Sequence, residues 1–372
     1  MCFARYIDLP EGVMGRENGQ RVTLQTIADA VGVSRATVSN AYNRPGRLSA
    51  ELRARILAAA DEHGYAGPDP VARRLRTGRG GTVGVLFTEP LDYAFSDPGC
   101  VEFLAGFSAG VRPVTTNLVL IAAPPGAQVA DAIRGAAADA VCVYSMPEHH
   151  EGVATVLGLA VPVVVVDMPA GTGRAFVGID DHRGGVLVGE HLAALGHRRI
   201  GVLTSRLRAD DRVGAVGPDR LARASFRLFR ERIGGLREAL TGAGIAWADV
   251  ALQERRNTTA EGAAGAAALL SAQPRPTAIA ALTDQLALGA LAACRAAGLD
   301  VPGQVSVTGF DDIAAARTAQ PPLTTVAQPT YLKGREAGQA LLAALDAEPD
   351  LPPATTVLPV ELVVRGSTAP AP

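Results

Sequence analysis

The sequence predicts an α/β protein in which an all-α three-helix helix-turn-helix headpiece and a linker helix precede a two-lobed body with parallel sheets. Three short helical patterns, each with a capping residue, follow one another between residues 21 and 66. From Thr82 onward, short β-branched apolar runs alternate with helical stretches, and this series occurs twice. A chain of 372 residues is long enough for one small domain and a body of two lobes.

Residues 1–20 show no hydrophobic periodicity, and we expect them to form a disordered extension. The next stretch, TLQTIADAVG, carries an apolar stripe at helical spacing that consists of Leu24, Ile27, Ala28 and Val31. Thr23 is placed to cap the first turn of this helix, and Gly32 is placed to end it.

The segment VSRATVSNAYN, residues 33–43, predicts a second short helix that begins after the N-cap residue Ser34. Its core positions recur at helical spacing and are Thr37, Val38 and Ala41. Two short helices joined by a turn containing glycine form a helix-turn-helix, whose second helix enters the major groove of DNA. The outward face of this helix can therefore contact bases, and it carries Arg35, Ala36, Ser39 and Asn40.

A third segment, SAELRARILAAADEHGY, repeats the pattern with the cap Ser49 and the stop Gly64, so three helices can close a small core. Between Arg21 and Gly80 the sequence has ten arginines and five acidic residues, although the net charge of the whole chain is −2. Because arginine neutralises phosphate groups, this basic segment indicates salt-sensitive affinity for nucleic acid.

Residues 22–76 resemble the headpiece of LacI/GalR-type bacterial repressors, in the stretches VTLQTIADAVGVSRATVSNAYN, LSAELRARILAAADEHGY and PVARRLR. The resemblance implies a DNA-binding headpiece over residues 21–66, then a hinge helix and linker over residues 67–81. By this resemblance the hinge helix folds against its dimer mate in the minor groove, where Leu75 wedges open a base step. Its other predicted contacts are Ala72, Arg73, Arg74 and Arg76. A plain linker is the alternative, because so short a helix is unstable alone.

The predicted reading helix supplies two kinds of contact to DNA. Arg35 can bond guanine O6 and N7, Asn40 can bond adenine N6 and N7, and Ala36 can touch a thymine methyl group. The residues assigned to the DNA backbone are Ser34, Thr37, Ser39 and Asn43. Thr23, and Arg47 in the loop before the third helix, complete the predicted set.

The body contains two series of strands alternating with helices, which indicates parallel sheets covered on both faces. By resemblance it is the type I periplasmic-binding-protein-like body of these repressors. The predicted N-terminal lobe comprises residues 82–179 plus 330–350, and the predicted C-terminal lobe comprises residues 180–328 plus 355–366. The chain is expected to cross between the lobes near residues 178–180, 328–330 and 351–356.

Ligands bind at the carboxyl ends of strands in open α/β sheets, so residues that follow strands are candidates for a cleft between the lobes. These candidates are Asp92, Tyr93, Phe95, Ser96, Asp97, Ser145, Asp167, Asp284, Asp311 and Asp312. Several carboxylate acceptors and few aromatic residues suit a ligand rich in hydroxyl or amine donors. An aspartate after a strand also often caps the next helix, which is the alternative for Asp284.

The resemblance implies effector-binding roles for four residues, which are Asp167, Arg232, Asp284 and Gln328. Asn257 sits where sugar- and purine-binding relatives often place an aromatic stacking residue, which disfavours a planar base and leaves a sugar open. The Arg-rich stretch 206–229 is interpreted as a partly mobile loop at the mouth of the cleft. It could admit an anionic ligand or simply be a solvated loop.

Other classes of protein lack support in the sequence. There is no GxSxG, HExxH, P-loop or strand-linked GxGxxG motif, so neither an enzyme nor a cofactor is predicted. The His149–His150 pair lies in a polar loop, where a metal site is not expected. The four cysteines are scattered and are expected to be free thiols. Because no apolar run of membrane-spanning length and no signal peptide is found, we expect a cytoplasmic protein without a membrane partner.

Together these patterns predict a sequence-specific DNA-binding transcriptional regulator, a repressor, controlled by a sugar or other small polar metabolite bound between the lobes. Its predicted partners are this effector and double-stranded DNA with a pseudo-palindromic operator. The tail STAPAP has no heptad repeats, so a homodimer is favoured. The alternatives are a solute-binding protein without a role on DNA and a sensor of a nucleoside-type effector.

Overall fold

The computed structural model describes residues 22–43, 45–65, 81–112, 117–124, 128–169, 171–346 and 352–372. The predicted N-terminal extension and hinge helix lie outside the described residues. The chain divides into two compact units, one up to Gly80 and one from Gly81 to the end. None of the described helices is long and apolar enough to cross a membrane.

The described part of the first unit contains three helices, and the first and third begin after the predicted caps Thr23 and Ser49. The third helix ends at Glu62 with His63 as its C-cap, just before the predicted stop Gly64. The helices are α1 (Leu24–Val31), α2 (Arg35–Asn43) and α3 (Ala50–Glu62), with a 3₁₀ turn at Pro45–Arg47. Thr23 and Thr26 cap α1 reciprocally, and Gly32 ends it in the left-handed conformation with a φ of 75°. Ser49 caps α3 by accepting a hydrogen bond from the amide of Leu52. The core of this unit is made of fully buried side chains, which are Ile27, Ala28, Val38, Ala41, Ile56 and Ala60.

The second unit is the α/β body. Its strands are β1 (Thr82–Phe87), β2 (Asn117–Ala122), β3 (Ala140–Tyr144), β4 (Val163–Val166), β5 (Ala175–Ile179), β6 (Ile200–Thr204), β7 (Gly214–Ala215), β8 (Ala251–Glu254), β9 (Ala278–Ala281), β10 (Ser306–Asp311), β11 (Thr324–Ala327), β12 (Thr355–Leu358) and β13 (Glu361–Val363). Its helices are α4 (Leu91–Ser96), α5 (Pro98–Val111), α6 (Val129–Ala136), α7 (Val153–Leu157), α8 (Asp181–Ala194), α9 (Pro218–Ala222), α10 (Arg227–Gly242), α11 (Thr259–Leu270), α12 (Asp284–Ala296), α13 (Ala314–Thr318) and α14 (Thr330–Asp346), with a 3₁₀ turn at Trp247–Asp249.

The strands form two separate sheets, one for each lobe. The first sheet has the strand order β12-β5-β4-β3-β1-β2, and all of its pairings are parallel. The second has the order β13-β11-β10-β9-β6-β8-β7 and is parallel except for β7 and β13 at its edges. Helices cover the inner strands, which are apolar and almost completely buried, as the continuous β-branched runs predict. The outer strands β2, β7, β12 and β13 are partly exposed. Helix α14 follows β11 but packs against the first sheet, close to α5.

The last described crossing between the lobes differs from the sequence-based boundary. Residues 355–366 are predicted to lie in the second lobe, but Thr355–Leu358 pair in parallel with Phe176–Ile179 at the edge of the first sheet. The crossing therefore falls at Pro359 and Val360, and only β13 joins the second sheet. Pro359 cannot donate a backbone hydrogen bond, which explains why the pairing stops there.

The Arg-rich stretch 206–229 is folded rather than a free loop. It contains β7, α9 and the start of α10. The guanidinium of Arg220 is buried and forms paired hydrogen bonds to both carboxylates around it, at 2.6 and 2.7 Å to Asp210 and at 2.8 Å to both oxygens of Glu254. Glu254 also accepts the amide N–H of Leu207 at 2.7 Å. Bidentate arginine pairs of this kind are the strong ones, so the stretch is tied to β8.

Candidate functional site

The outward face of α2 is polar and accessible. Arg35 and Ala36 are exposed, and Ser39 and Asn40 are partly exposed. Val38 and Ala41, on the opposite side of the same helix, are completely buried against α1 and α3. Arg47 is exposed on the 3₁₀ turn that follows. The headpiece core therefore orients α2 so that these side chains face away from it.

Several hydroxyl groups predicted to contact DNA also have partners inside the headpiece. The Oγ of Ser34 accepts the amide N–H of Thr37 at 3.1 Å and lies 2.8 Å from the Oγ1 of Thr37. Thr23 caps α1 through Thr26. Each of these hydroxyl groups stabilises the first turn of its own helix. The local structure alone therefore accounts for the presence of a hydroxyl at these positions. The side chain of Asn43, and residues 72–76 with the predicted wedge Leu75, lie outside what the structure describes.

A cleft of about 740 Å³, counting solvent at its mouth, lies between the two sheets of the body. Its lining comes from the carboxyl ends of strands in both sheets, as expected for a fold of this type. Of the predicted effector-binding residues, the lining includes Tyr93, Ser145, Asp167, Arg232, Asn257 and Gln328. Asp97 and Asp311, which follow strands in the sequence, line it as well. The lining residues that the sequence analysis did not single out include Glu89, Tyr144, Arg206, Thr283 and Lys333.

Three predicted effector-binding residues are not among those that line the cleft, and their roles in ligand binding stay predictions. Asp284 is completely buried, where its carboxylate accepts the hydroxyl of Thr325 at 2.5 Å and the amide N–H of Ile313 at 2.9 Å. It therefore ties α12 to β11, and burial raises the pKa of its carboxyl to about 6. Phe95 and Ser96 lie on α4 with their side chains exposed, because that face of the short helix points away from the core.

The floor of the cleft contains a buried ion pair between Lys333 on α14 and Asp167 after β4. The Nζ of Lys333 donates to the Oδ2 of Asp167 at 2.7 Å and to the Oε1 of Gln328 at 3.1 Å. Lys333 is the only lysine among the 35 lysine and arginine residues of the sequence. This singularity is the signal that could have identified it from the sequence.

A second set of charged side chains, centred on Arg232, lies at the floor of the cleft in the C-terminal lobe. Arg232 donates to Asp181 at 2.9 Å and to the carbonyl of Leu282 at 2.7 Å, and its guanidinium lies 3.5 Å from the centre of the Phe310 ring. Asp311 lies 3.5 Å from Arg232 and accepts a hydrogen bond from Gln328 at 2.6 Å. Burial raises the pKa of Asp311 to about 8, although Arg232 opposes this rise.

Three cleft residues at strand ends have left-handed backbone conformations, which are unusual for residues with a side chain. The φ angles are 52° for Ser145, 56° for Asp167 and 126° for Asp311. Such conformations cost free energy and cluster at binding sites, where the surrounding structure holds them. Here they place three polar side chains at the carboxyl ends of β3, β4 and β10.

Polar contacts join the lobes across the cleft. The Nδ2 of Asn257 donates to the Oδ2 of Asp97 at 2.9 Å and to the hydroxyl of Tyr93 at 3.2 Å, while its Oδ1 accepts from Thr283. Arg206 forms an ion pair with Glu89 of the other lobe. These contacts give the cleft polar walls on both sides, rich in groups that can bond hydroxyls.

Comparison with known proteins agrees with both parts of the chain. Residues 23–67 match the family described as bacterial regulatory proteins, lacI family, and residues 189–368 match the periplasmic binding protein-like domain. An HTH-type transcriptional regulator of Mycobacterium tuberculosis is 43% identical over 355 residues, which are 94% of this chain and 97% of that protein.

Solved structures extend the similarity over the whole fold. The complex of the transcriptional regulator CelR with cellobiose is 28% identical with a TM-score of 0.68, covering 93% of this chain and 100% of the other. The lac repressor dimer bound to operator and the anti-inducer ONPF is 25% identical with a TM-score of 0.77, covering 94% of this chain and 100% of the other. With its helix-turn-helix headpiece and its two-lobed body, the chain belongs to the LacI family of bacterial transcriptional regulators.

Proposed function

We propose that this regulator is a repressor whose homodimer binds a pseudo-palindromic operator through α2 and releases or holds it according to a small polar ligand in the cleft. The observation that carries the proposal is that an exposed polar reading helix and a polar inter-lobe cleft occur in one chain. In the lac repressor structure, a similar chain is a dimer on its operator. A two-fold dimer presents two α2 helices to two half-sites, which is why the operator should be palindromic.

The chemistry of the cleft supports a sugar or a similar neutral polar metabolite as the effector. Hydroxyl, amide and paired charged groups line both walls, and CelR, a relative of the same fold, has been solved with cellobiose. Asn257 occupies the position where an aromatic residue would favour a planar base. Its Nδ2 donates to Asp97 and its Oδ1 accepts from Thr283. An amide there offers hydrogen bonds rather than a stacking surface, which disfavours a nucleoside.

Regulation requires that the ligand bind one arrangement of the lobes more tightly than the other. The first and second sheets each contribute side chains to the cleft, so a ligand there contacts both lobes. We infer that ligand binding changes lobe closure and through it the affinity of the headpieces for DNA. The chain acts on chromosomal DNA in this proposal, which places it in the cytoplasm.

Two measurements test the proposal. Purified full-length protein should bind a duplex fragment taken from beside its own gene. Its affinity for this fragment should fall steeply when the salt concentration is raised about fourfold, from about 50 to about 200 mM. A panel of sugars and polyols should include a compound that raises the melting temperature and also changes this DNA affinity. Absence of salt-sensitive binding to any such fragment would refute the DNA role.

A further inference from the structure

Lys333 lines the cleft with an ammonium group that makes two side-chain hydrogen bonds within the described part of the chain. Its side chain is only 3% exposed, and its ammonium group has three N–H donors. Two of them point to the Oδ2 of Asp167 and the Oε1 of Gln328. The ring of Tyr144 lies 5.9 Å from the Nζ and helps to enclose it.

Asp167 has a complementary free acceptor. Its Oδ2 accepts from Lys333, whereas its Oδ1 is buried and has no hydrogen-bond partner among the residues that the structure describes. A buried carboxylate oxygen without a donor is costly, so the site is arranged for a group that supplies one. The left-handed backbone of Asp167 adds a further cost, as residues at binding sites often do.

We propose that the Lys333–Asp167 pair is a subsite for a hydroxyl group of a neutral polyhydroxylated ligand, and that it rejects ligands with an amine or a carboxylate at this position. A hydroxyl both donates and accepts, so a single one can accept from Lys333 and donate to the Oδ1 of Asp167. This inference rests on the proposed ligand-binding function and specifies its ligand class.

The charge balance of the cleft floor explains the rejection of charged groups. Lys333 and Asp167 neutralise each other, and Arg232 pairs with Asp181. An ammonium group at the subsite would be repelled by Lys333, and a carboxylate would meet the unpaired oxygen of Asp167. In a buried site an unbalanced charge is expensive, so either ligand should bind more weakly than the hydroxyl compound.

The use of lysine at this position also has a physical reason. All other lysine-or-arginine positions of the chain carry arginine, so the lysine at position 333 is an exception in this sequence. Lysine carries a compact ammonium with three rotatable donors, whereas arginine has a wide planar fork. A compact ammonium can bond both Asp167 and Gln328 and has a third N–H for a ligand.

The experiment uses the full-length chain and two matched series of sugars, namely glucose, glucosamine and glucuronate, and galactose, galactosamine and galacturonate. Because there is a single lysine, ¹⁵N-lysine labelling gives one side-chain ammonium signal from the whole protein. In wild type, a neutral sugar should shift this signal and stabilise the protein, with affinity about tenfold or more above that of its charged analogues.

Charge-altering variants test whether the pair sets this preference. Lys333→Met should weaken binding of the neutral sugar about tenfold and favour the amino sugar, because Asp167 then lacks its cation. Asp167→Asn should shift the preference towards the uronate. Asp219→Asn, an exposed carboxylate change on α9, is the control and should leave all three affinities unchanged. If Lys333→Met does not fold, Lys333→Met/Asp167→Asn removes both charges together and should lose the discrimination.

Several results would overturn the inference. They are a wild-type preference for the amino sugar or the uronate, binding of a neutral sugar that leaves the lysine signal and the Lys333→Met affinity unchanged, or no binding by any member of either series. None of these results decides the proposed DNA-binding function, since binding to DNA is measured separately. A chain that binds its operator and responds to a charged ligand would keep that function and lose this subsite.

Discussion

At the scale of single residues, buried carboxylates of the cleft are paired with basic side chains, and Asp311 has the weaker share of such a pair. Arg232 is shared between Asp181 and Asp311 and lies closer to Asp181. Burial therefore raises the pKa of Asp311 to about 8, far above the value of about 3.9 for an aspartate in an unfolded chain. The folded state thus holds a proton on Asp311 that the unfolded state releases at lower pH.

This proton makes the stability of the protein depend on pH. Between about pH 4 and pH 8 the folded state binds more protons than the unfolded state, so the free energy of unfolding should fall as pH rises through this window. In Asp311→Asn this contribution is absent, and the melting temperature of wild type should decline relative to the variant from pH 5 to pH 8. Parallel melting curves for the two proteins would contradict the raised pKa.

The reading helix also leads to a prediction for one residue. Arg35 is exposed at the start of α2, and a bidentate contact from arginine to guanine discriminates bases. Arg35→Ala should weaken the free energy of binding to the cognate operator by about 1–3 kcal/mol. It should have little effect on binding to an operator altered at the contacted base pair. The check is a competition assay over single-base operator variants, with Arg134→Ala in the body as control. Equal loss on every variant would assign Arg35 to the DNA backbone instead.

At the scale of elements, close approach of helices positions the cleft side chains. Helices α8 and α10 touch through Gly185 and Gly235, where a methyl group at either position would collide with the backbone of the facing helix. The carbonyl that faces Gly185 belongs to Arg232, so the spacing of the two helices also places the arginine of the cleft. The mutual fit of the helices therefore has a direct effect on the site.

Gly185→Ala should separate α8 from α10 and destabilise the protein by about 1–3 kcal/mol, with weaker ligand binding because Arg232 moves. The matched control is Gly135→Ala on α6, where no atom of the described residues lies within 4 Å of the added methyl group. That change should be neutral or stabilise by up to about 1 kcal/mol, since alanine restricts the unfolded chain. Chemical denaturation measures the free energy of unfolding of both variants. Equal changes in the two would show that the close contact between α8 and α10 does not contribute to stability.

At the scale of the whole body, contacts outside the cleft also hold the two lobes together. Arg230 on α10 donates to Glu148 of the first lobe at 2.7 Å, and the amide of Glu148 donates to the carbonyl of Ser225 at 2.8 Å. Neither Arg230 nor Glu148 lines the cleft, so they can influence ligand affinity only through the arrangement of the lobes. Such contacts contribute to the balance between open and closed lobes.

Glu148→Gln should weaken ligand binding by about twofold to fivefold, because a partly exposed ion pair contributes modestly to closure. The same variant should show a smaller salt dependence of ligand affinity than wild type. Asp131→Asn, which removes an exposed ion pair with Arg134 on the same lobe, is the control and should not change the affinity. Ligand titrations at two salt concentrations make the test, and identical affinities for Glu148→Gln and wild type would contradict it.

Local patterns in the sequence were sufficient for the helices of the headpiece, their caps and the alternation of strands and helices in the body. Thr23, Gly32 and Ser49 act on neighbours a few residues away, so their roles can be inferred from spacing alone. Tyr93 and Ser145 were predicted at the cleft because they follow strands. Arg232, Asn257 and Gln328 were predicted there from the family resemblance, and Asp167 was predicted there on both grounds. Asp284 was predicted at the cleft by the same reasoning but lies buried against Thr325, because a position after a strand also suits a buried structural carboxylate.

The sequence by itself determined the fold class, the reading helix and the family, because all three depend on periodicity and on motifs within short stretches. Tertiary structure alone decided that Lys333 meets Asp167 across 166 residues, that Asp284 turns inward to Thr325, and that Thr355–Leu358 complete the first sheet. The physical reason is that burial and charge pairing are properties of distant segments brought together by folding, and no local pattern encodes which of several carboxylates will face the ligand.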